Sequence, residues 1–459
     1  MPKFRPNAVA YCGGAYGDEG KGRIVDEVVA SFVRTHQVIV YRDNGGANAG
    51  HTVEFKNGDR IALHQLPSGV FHEGVHIVLG KGMVIHPQDL LAEITQVSTV
   101  TGGRIPATIL IDEQAVLSLD THRTMEGMLK NWEEGGKGST GRGIAPAYVD
   151  VMYRHPLRMR DLVPFNREKI EKHYRLYEAF VKGLGGDLAT SVVPLLTGNS
   201  TQSVGSLSTF VHRLEEQSQH LAPFVKGLSG FLSTSWKDEK VAWVFEKAQA
   251  IGLDIRWGVY PDVTASDCTF DGIYSASEGI IDPLEIGIRA AVLKGTYMSS
   301  VGTRQLPTTM EPELADKIRE DAHEYGATTR RPRGIAHLDI PALRFFSQVG
   351  RCTHLVLTHM DIVYPSTPIS VCVGYTQNGK RVPYRPDQIY LNSIQPEYVM
   401  MESWDSKEIA SAKTAKKLPS AATEFISFLE TQIGLPVDLI TTGPRRDQSL
   451  SLRKSNSRK

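Results

Sequence analysis

The sequence has little of three things that would narrow the class of protein at once. Its 459 residues contain four cysteines, no apolar run near the ~18 residues that span a bilayer, and equal numbers of basic and acidic residues, 51 each. The cysteines show no paired spacing typical of a disulfide framework or a zinc site. The N-terminus lacks the apolar core of a signal peptide. We therefore expect a cytoplasmic protein with neither a membrane nor a nucleic acid as partner.

Short apolar stretches alternate with helical patterns along most of the chain. Strand-like stretches occur at residues 8–11, 38–41, 75–79, 107–111, 241–245, 355–358 and 437–440. This alternation predicts an α/β fold with a large, mostly parallel central sheet and helices on both faces. We expect residues 1–459 to form a single domain, with a mainly helical subdomain inserted at 166–236 and a flexible basic tail at 453–459.

A glycine-rich stretch at residues 12–23 lies between the first strand-like stretch and a predicted helix. Five glycines in ten residues, followed by a helix start, are typical of a phosphate-binding loop. The common phosphate loop would need glycine at Ala15 and a hydroxyl at Gly22, and both are absent. Asp18 is therefore the candidate magnesium ligand. A tight turn beside a solvent-facing Lys21 is the alternative.

Polar or glycine-rich turns follow five of the strand-like stretches. Because ligands of parallel sheets gather at the carboxyl ends of the strands, we expect Asp18, His51, Gln249, Asp361 and Gly443 to share one edge. His51 is a candidate catalyst there, although a lone histidine is often structural. The turn at 358–361 resembles one that recognises guanine, in which an aspartate accepts hydrogen bonds from the base.

Two further clusters are candidate anion sites. Residues 135–143 combine glycines with Lys137, Ser139 and Thr140, a composition that suits a phosphate or a solvated loop about equally. Residues 326–334 contain three arginines in four positions, which match carboxylates or phosphates. A basic patch paired with acids elsewhere in the chain is the alternative for this second cluster.

Taken in order, six motifs resemble those of the adenylosuccinate synthetases: residues 17–22, 48–52, 139–148, 260–264, 326–331 and 442–444. The resemblance covers nearly the whole chain. It implies a homodimeric, Mg²⁺-dependent ligase that joins L-aspartate to the six-position of inosine monophosphate while GTP is cleaved to GDP and phosphate. One magnesium ion per subunit and GTP as co-substrate are part of that implication.

The same resemblance implies roles for the matching residues. The implied catalytic residues are Asp18, His51 and Gln249, and the implied metal ligands are Asp18 and the carbonyl of Gly50. GTP is bound by Gly17, Asp18, Glu19, Gly20, Lys21, Gly22, Arg23, Gly50, His51, Thr52, Arg333, His359, Met360, Asp361, Thr441, Thr442 and Gly443. The purine monophosphate is bound by Asp18, Lys21, Asn48, His51, Thr140, Gln249, Thr264 and Arg331, with Arg154 reaching over from the neighbouring subunit. L-Aspartate is bound by Ala327, Thr328, Thr329, Arg330, Arg331 and Arg333.

Several positions depart from the family pattern, mostly around the nucleotide pockets. Lys247 and Ala250 flank Gln249 where glycines are usual, His359 replaces lysine, Arg330 replaces glycine, Asp267 replaces asparagine and Arg445 replaces an acid. These departures leave two alternatives open. One is a paralogue that uses a related purine monophosphate or ATP, and the other is a guanine-nucleotide-binding regulatory protein.

Overall fold

The structure is a computed structural model that describes residues 4–54, 60–132, 139–196, 200–326, 332–443, 445 and 448–452. The predicted tail at 453–459 lies outside these residues. The described strands are β1 (Arg5–Gly13), β2 (Gln37–Arg42), β3 (His51–Glu54), β4 (Arg60–Leu63), β5 (His76–Leu79), β6 (Val84–Ile85), β7 (Thr108–Asp112), β8 (Val116–Leu117), β9 (Val192–Pro194), β10 (Thr201–Ser203), β11 (Val225–Lys226), β12 (Val241–Ala250), β13 (Ile286–Lys294), β14 (Met298–Ser300), β15 (Gly334–Ala336), β16 (Leu338–Asp339), β17 (His354–Thr358), β18 (Ile369–Gln377), β19 (Lys380–Val382), β20 (Gln395–Met401), β21 (Val437–Thr441) and β22 (Ser449–Ser451).

The α-helices of the described residues are α1 (Lys21–Phe32), α2 (Pro87–Val100), α3 (Asp120–Trp132), α4 (Ile144–Met152), α5 (Met159–Leu162), α6 (Arg167–Gly183), α7 (Leu207–Leu221), α8 (Ser229–Lys237), α9 (Gly272–Ala276), α10 (Pro312–Asp321), α11 (Ile340–Val349), α12 (Gln388–Leu391), α13 (Ser406–Ser411) and α14 (Ser420–Ile433). Short 3₁₀ helices lie at Ser68–Phe71, Ile251–Leu253, Pro283–Glu285 and Ala415–Lys417. Among the helices described, we find none with the length and apolar character that crossing a membrane requires.

A ten-stranded sheet organises the molecule, with strand order β11-β7-β5-β2-β12-β1-β13-β17-β21-β22. Every neighbouring pair is parallel except β21 and β22. The predicted fold class, a large and mostly parallel sheet, is therefore confirmed. The carboxyl ends of β2, β12, β1, β13, β17 and β21 consequently lie side by side along one edge.

The central strand β1 is covered on both faces. Its side chains alternate between two hydrophobic clusters, with Ala8 and Ala10 in one and Val9 and Tyr11 in the other. Ile24 of α1 packs into the second cluster, and Phe346 of α11 packs into the first. Burial on both faces explains why the strand consists of apolar residues with no alternation of polar ones.

Strand β13, the neighbour of β1, is absent from the sequence-based prediction. Gly287, Arg289 and two alanines interrupt its apolar pattern. The charged side chain is nevertheless accommodated, because the Arg289 guanidinium donates to the carbonyls of Pro283 and Ile286, each at 3.0 Å, and of Arg351 at 2.9 Å. A second, smaller sheet of β16, β18, β19 and β20 is also unpredicted.

Residues 166–236 contain α6, α7 and α8, as the helical spacing indicates, together with the hairpin of β9 and β10. They also contain β11, which pairs with β7 and forms one edge of the central sheet. This segment therefore contributes to the main sheet as well as to the helices around it.

Strand β12 is longer than predicted. The predicted stretch ends at residue 245, with Gln249 in the turn that follows, whereas the strand continues to Ala250. Glu246, Lys247 and Gln249 consequently lie on the strand itself. All three lie at the carboxyl end of β12, beside the turns that follow β1 and β2.

Candidate functional site

The loop between β1 and α1 is organised from within by Glu19. This carboxylate is 2% exposed and accepts the N–H groups of Gly17 at 2.8 Å and Ala15 at 3.3 Å. It also pairs with the Lys21 ammonium at 3.0 Å. Gly13 must lack a side chain, since a Cβ there would lie 2.3 Å from Glu19 Oε2. The role of Glu19 in the loop is therefore to hold its shape.

Contacts to this loop come from turns far apart in the sequence. Thr358 Oγ1 donates to the carbonyl of Glu19 at 2.8 Å, and the Arg23 guanidinium donates to the carbonyl of Gly443. A Cβ placed on Gly22 would lie 3.0 Å from His51 Cβ. On the opposite side, a Cβ on Gly13 would lie 2.7 Å from the carbonyl of Gln249. The ends of β12, β17 and β21 and the start of β3 thus surround the loop.

His51 is held by a buried carboxylate. Its Nδ1 bonds to Glu246 Oε1, and the two side chains are 4% and 0% exposed. Ser68 fixes Glu246 in turn, through its hydroxyl and its backbone N–H, each at 2.7 Å. Burial lowers the pKa of His51, although Glu246 opposes that effect. Since Nδ1 is engaged, Nε2 is the nitrogen available to a ligand.

Asp18 adopts a left-handed backbone conformation (φ 59°) at the tip of the loop. Its carboxylate lies 2.5 Å from the Arg333 guanidinium, and it is 36% exposed. A partly exposed carboxylate beside a phosphate-type loop suits Mg²⁺, which takes oxygen ligands and retains several waters. Gly50, the other predicted metal ligand, is exposed and immediately precedes His51.

Three of the residues predicted to bind the purine monophosphate come together at the ends of β2 and β12. Asn48 Nδ2 lies 3.4 Å from Thr264 Oγ1. Gln249 has a left-handed backbone (φ 58°), and its Oε1 accepts from Ser266 Oγ at 3.4 Å. Gln249 Nε2 is buried and has no hydrogen-bond partner within the described residues. It is therefore a donor suited to a ligand.

Two further predicted residues of this group lie near the ends of α4. Thr140 is exposed in the turn that precedes α4, and Arg154 is exposed, with φ 70°, just after the helix ends. Val149, Met152 and Tyr153 are also exposed, at 43%, 76% and 63%. The C-terminal part of α4 and the residues that follow it therefore present an apolar surface beside a cation.

The turns after β17 and β21 are joined to each other. Thr441 accepts from the backbone N–H groups of His359, through its hydroxyl, and of Met360, through its carbonyl, both at 3.1 Å. Burial lowers the pKa of His359 to about 4 and raises the pKa of Asp361. Thr442 and Gly443 follow directly, and the N–H of Thr442 donates to the carbonyl of Gln448 at 2.8 Å.

The predicted aspartate-binding loop is only partly described. Ala327, Thr328, Thr329, Arg330 and Arg331 lie outside the described residues. Arg333, at the end of this stretch, is described, and its pairing with Asp18 brings it to the edge of the site. Thr52, a predicted GTP-binding residue, lies on β3 next to His51.

Sequence reasoning missed the contacts of three charged residues near the site. Glu246 holds His51, and Lys247 forms a buried ion pair with Asp43. Tyr41 of β2 is aligned with Phe245 of β12. Asp43 lies two positions after Tyr41, and Lys247 lies two positions after Phe245. The pairing of these strands would have revealed the ion pair, but it is not apparent from either segment alone.

Within the described part of the chain, one group of side chains has the spacing of a metal site: His122, Asp150 and His173. His122 Nδ1 accepts the backbone N–H of Leu119 at 2.9 Å, so the proton of its neutral ring is on Nε2, which lies 3.0 Å from Asp150 Oδ2. Tyr177 donates to the other carboxylate oxygen at 3.0 Å. We interpret the group as a hydrogen-bonded cluster.

A sequence profile of the family described as adenylosuccinate synthetase matches residues 10–450. The chain belongs to the adenylosuccinate synthetase family. An adenylosuccinate synthetase from Chlorobium chlorochromatii is 33% identical over 447 residues, which cover 97% of each chain.

Solved structures agree with this membership. Fully ligated adenylosuccinate synthetase from Plasmodium falciparum matches with a TM-score of 0.84 at 28% identity, covering 97% of this chain and 100% of that one. The succinoaminodeoxyadenylate synthetase of cyanophage S-2L, solved with dGMP and dATP, matches with a TM-score of 0.59 at 16% identity, covering 99% of this chain and 97% of that one. The second likeness shows a shared fold. The resemblance noted in the sequence to the adenylosuccinate synthetases is confirmed.

Proposed function

We propose that this chain joins L-aspartate to the six-position of inosine monophosphate and cleaves GTP to GDP and phosphate. The observation that carries the proposal is the grouping of Asp18, His51 and Gln249 around a phosphate-type loop in a member of the adenylosuccinate synthetase family. A regulatory nucleotide-binding protein would need the loop but not the His51–Glu246 pair or Arg333.

The purine oxygen is a poor leaving group, so the reaction requires two steps. Asp18 takes the N1 proton of inosinate, and the six-oxygen attacks the γ-phosphorus of GTP with departure of GDP. The amine of L-aspartate then attacks carbon six. The phosphorylated oxygen leaves as inorganic phosphate, and the amine loses a proton.

His51 stabilises the charge that develops on the purine oxygen. Its Nδ1 is held by Glu246, so a proton on Nε2 is the one that a substrate oxygen can accept as a hydrogen bond. The buried carboxylate of Glu246 offsets the positive charge of the imidazolium. Burial lowers the pKa of His51, and the negative charge of bound phosphates would oppose that effect and favour uptake of this proton.

Asp18 and the carbonyl of Gly50 would hold Mg²⁺ at the outer phosphates of GTP. The ion supplies charge neutralisation on the transferred phosphoryl group when it is bound. The phosphates would be surrounded by Gly17, Gly20, Lys21, Gly22 and Arg23. Asp361 would accept from the N–H groups of guanine, and Thr441 to Gly443, His359 and Met360 would surround the base.

Asn48, Thr140, Gln249 and Thr264 would hold the purine monophosphate. We assign Arg154 to the active site of a second subunit, because it projects from an exposed apolar surface that a homodimer would cover. Arg333, with Thr329 and Arg331, would clamp the carboxylates of L-aspartate.

The four reduced, buried cysteines support a cytoplasmic location.

Initial rates with purified protein test this proposal, with inosinate and guanylate each crossed with GTP and ATP in the presence of L-aspartate. We expect formation of adenylosuccinate with inosinate and GTP and much slower turnover with every other pair. Efficient turnover only with another pair, or GTP hydrolysis that does not depend on inosinate and aspartate, would overturn the assignment.

A further inference from the structure

The purine side of the site contains an ion pair that the proposed chemistry does not use. Lys247 Nζ contacts Asp43 Oδ2, and the two side chains are 0% and 1% exposed. Charged side chains are rarely buried so completely, because removing an ion from water is costly unless its partner is fixed. A feature of this kind next to a ligand pocket calls for a specific explanation.

The pair joins the carboxyl ends of β2 and β12. Next to Asp43, Asn44 forms two hydrogen bonds with the backbone of Ala248: its Oδ1 accepts from the N–H at 2.9 Å and its Nδ2 donates to the carbonyl at 3.3 Å. Ala248 lies between Lys247 and Gln249 in the sequence. The left-handed backbone of Gln249 therefore begins directly after a segment that is fixed to the turn following β2.

A third segment meets the pair at Gly272. A Cβ there would lie 3.0 Å from Lys247 Nζ and 3.1 Å from Asp43 Oδ2. The carboxylate of Asp267 lies close by, and with Asp43 it outweighs the effect of burial, so that the pKa of Lys247 is raised. Residues 264–268 carry Thr264 and also Ser266, which bonds Gln249 at 3.4 Å.

We infer that the Lys247–Asp43 pair positions the purine monophosphate site, by fixing in one arrangement the three segments that carry Asn48, Gln249 and Thr264. This inference rests on the proposed function. Lys247 does not itself touch the substrate in this account. It acts through Gln249, whose side-chain N–H₂ group has no partner within the described residues and must be held in place for a ligand.

A second buried ion pair provides a matched control. Lys294 at the end of β13 pairs with Glu324, with 2% and 4% exposure, and donates to Ser299 Oγ at 2.6 Å. The carbonyl of Glu324 accepts the N–H of Arg333 at 2.9 Å, and Tyr297, which donates to Glu324 at 2.5 Å, lies 3.4 Å from His359. This pair therefore supports the GTP and aspartate side of the site.

The experiment compares K247M, K294M and the double variant D43N/K247M with the wild type. For each protein we would measure KM for inosinate, GTP and L-aspartate, inosinate binding by calorimetry, and the unfolding midpoint. We expect K247M to weaken inosinate binding and raise its KM about tenfold while the other two constants stay within about twofold, since a lost positioning contact affects one ligand. K294M should raise KM for GTP and L-aspartate and leave KM for inosinate within about twofold.

The double variant separates positioning from stability. Removing both charges should restore much of the unfolding midpoint lost in K247M but not the affinity for inosinate. If K247M does not fold, D43N/K247M takes its place and the same selectivity is expected. An inosinate affinity within twofold of wild type, or an equal rise in all three KM values, would overturn the inference. Wild-type protein that neither binds nor converts inosinate would overturn the proposed function as well, which distinguishes the two failures.

Discussion

Two histidines at opposite sides of the site have different partners. His51 bonds directly to the carboxylate of Glu246, whereas His359 lies 3.4 Å from the hydroxyl of Tyr297, which itself donates to Glu324. Burial lowers the pKa of both rings. Only His51 has a carboxylate against its ring to stabilise an added proton. The comparison supports the proposal that the side with His51 performs the chemistry and the side with His359 recognises GTP.

The largest expected effect is that of Asp18→Asn. An amide cannot take the N1 proton, so kcat should fall about 10²- to 10⁴-fold, the usual contribution of a general base. Calorimetry with inosinate and GTP is the control, and it should show both nucleotides still bound. If Asp18→Asn keeps full activity, Asp18 is not the general base, and the contrast between the two sides of the site is wrong.

Glu246→Gln should reduce kcat about a hundredfold, because His51 loses the negative charge that stabilises its protonated form and fixes its orientation. The matched control is Ser68→Ala, which removes one hydrogen bond to Glu246 at 2.7 Å but leaves its charge. Its effect should be much smaller. Equal losses in both variants would mean that Glu246 acts by packing and not by charge.

Asp361→Asn tests recognition on the opposite side. A lost hydrogen bond to a charged acceptor should raise KM for GTP about 10- to 100-fold and leave KM for inosinate unchanged. An asparagine amide can donate to the 2-oxo group of xanthine, so xanthosine triphosphate should become the better donor. Unchanged KM for GTP would place the guanine elsewhere.

The smallest effect is on stability, through His359. Its pKa is lowered from 6.5 to about 4, so between these values the unfolded chain binds a proton that the folded protein does not. Stability is therefore lost as the pH falls, by about 2 kcal/mol between pH 7 and pH 5 from this group. Urea unfolding of wild type and His359→Asn at both pH values should show a smaller loss in the variant, and equal losses would contradict the assignment.

The sequence predicts those parts of the molecule in which a local pattern determines the structure. The loop after β1 and the parallel sheet follow from glycine content and from alternating strands and helices. Strand β13 and the buried charged residues near the site do not follow in the same way. Arg289 interrupts the apolar pattern of β13, so the strand is not apparent from the sequence. Glu246 and Lys247 reach their partners only because β12 pairs with β2 and extends to Ala250.

The central claim is that this edge of the sheet activates a purine oxygen by transferring a phosphoryl group to it. The most direct test uses inosinate labelled with ¹⁸O at position six, incubated with the protein, GTP, Mg²⁺ and L-aspartate, followed by mass spectrometry of the products. The account predicts one ¹⁸O atom in the inorganic phosphate for each adenylosuccinate formed. Release of the label into water, with unlabelled phosphate, would contradict it.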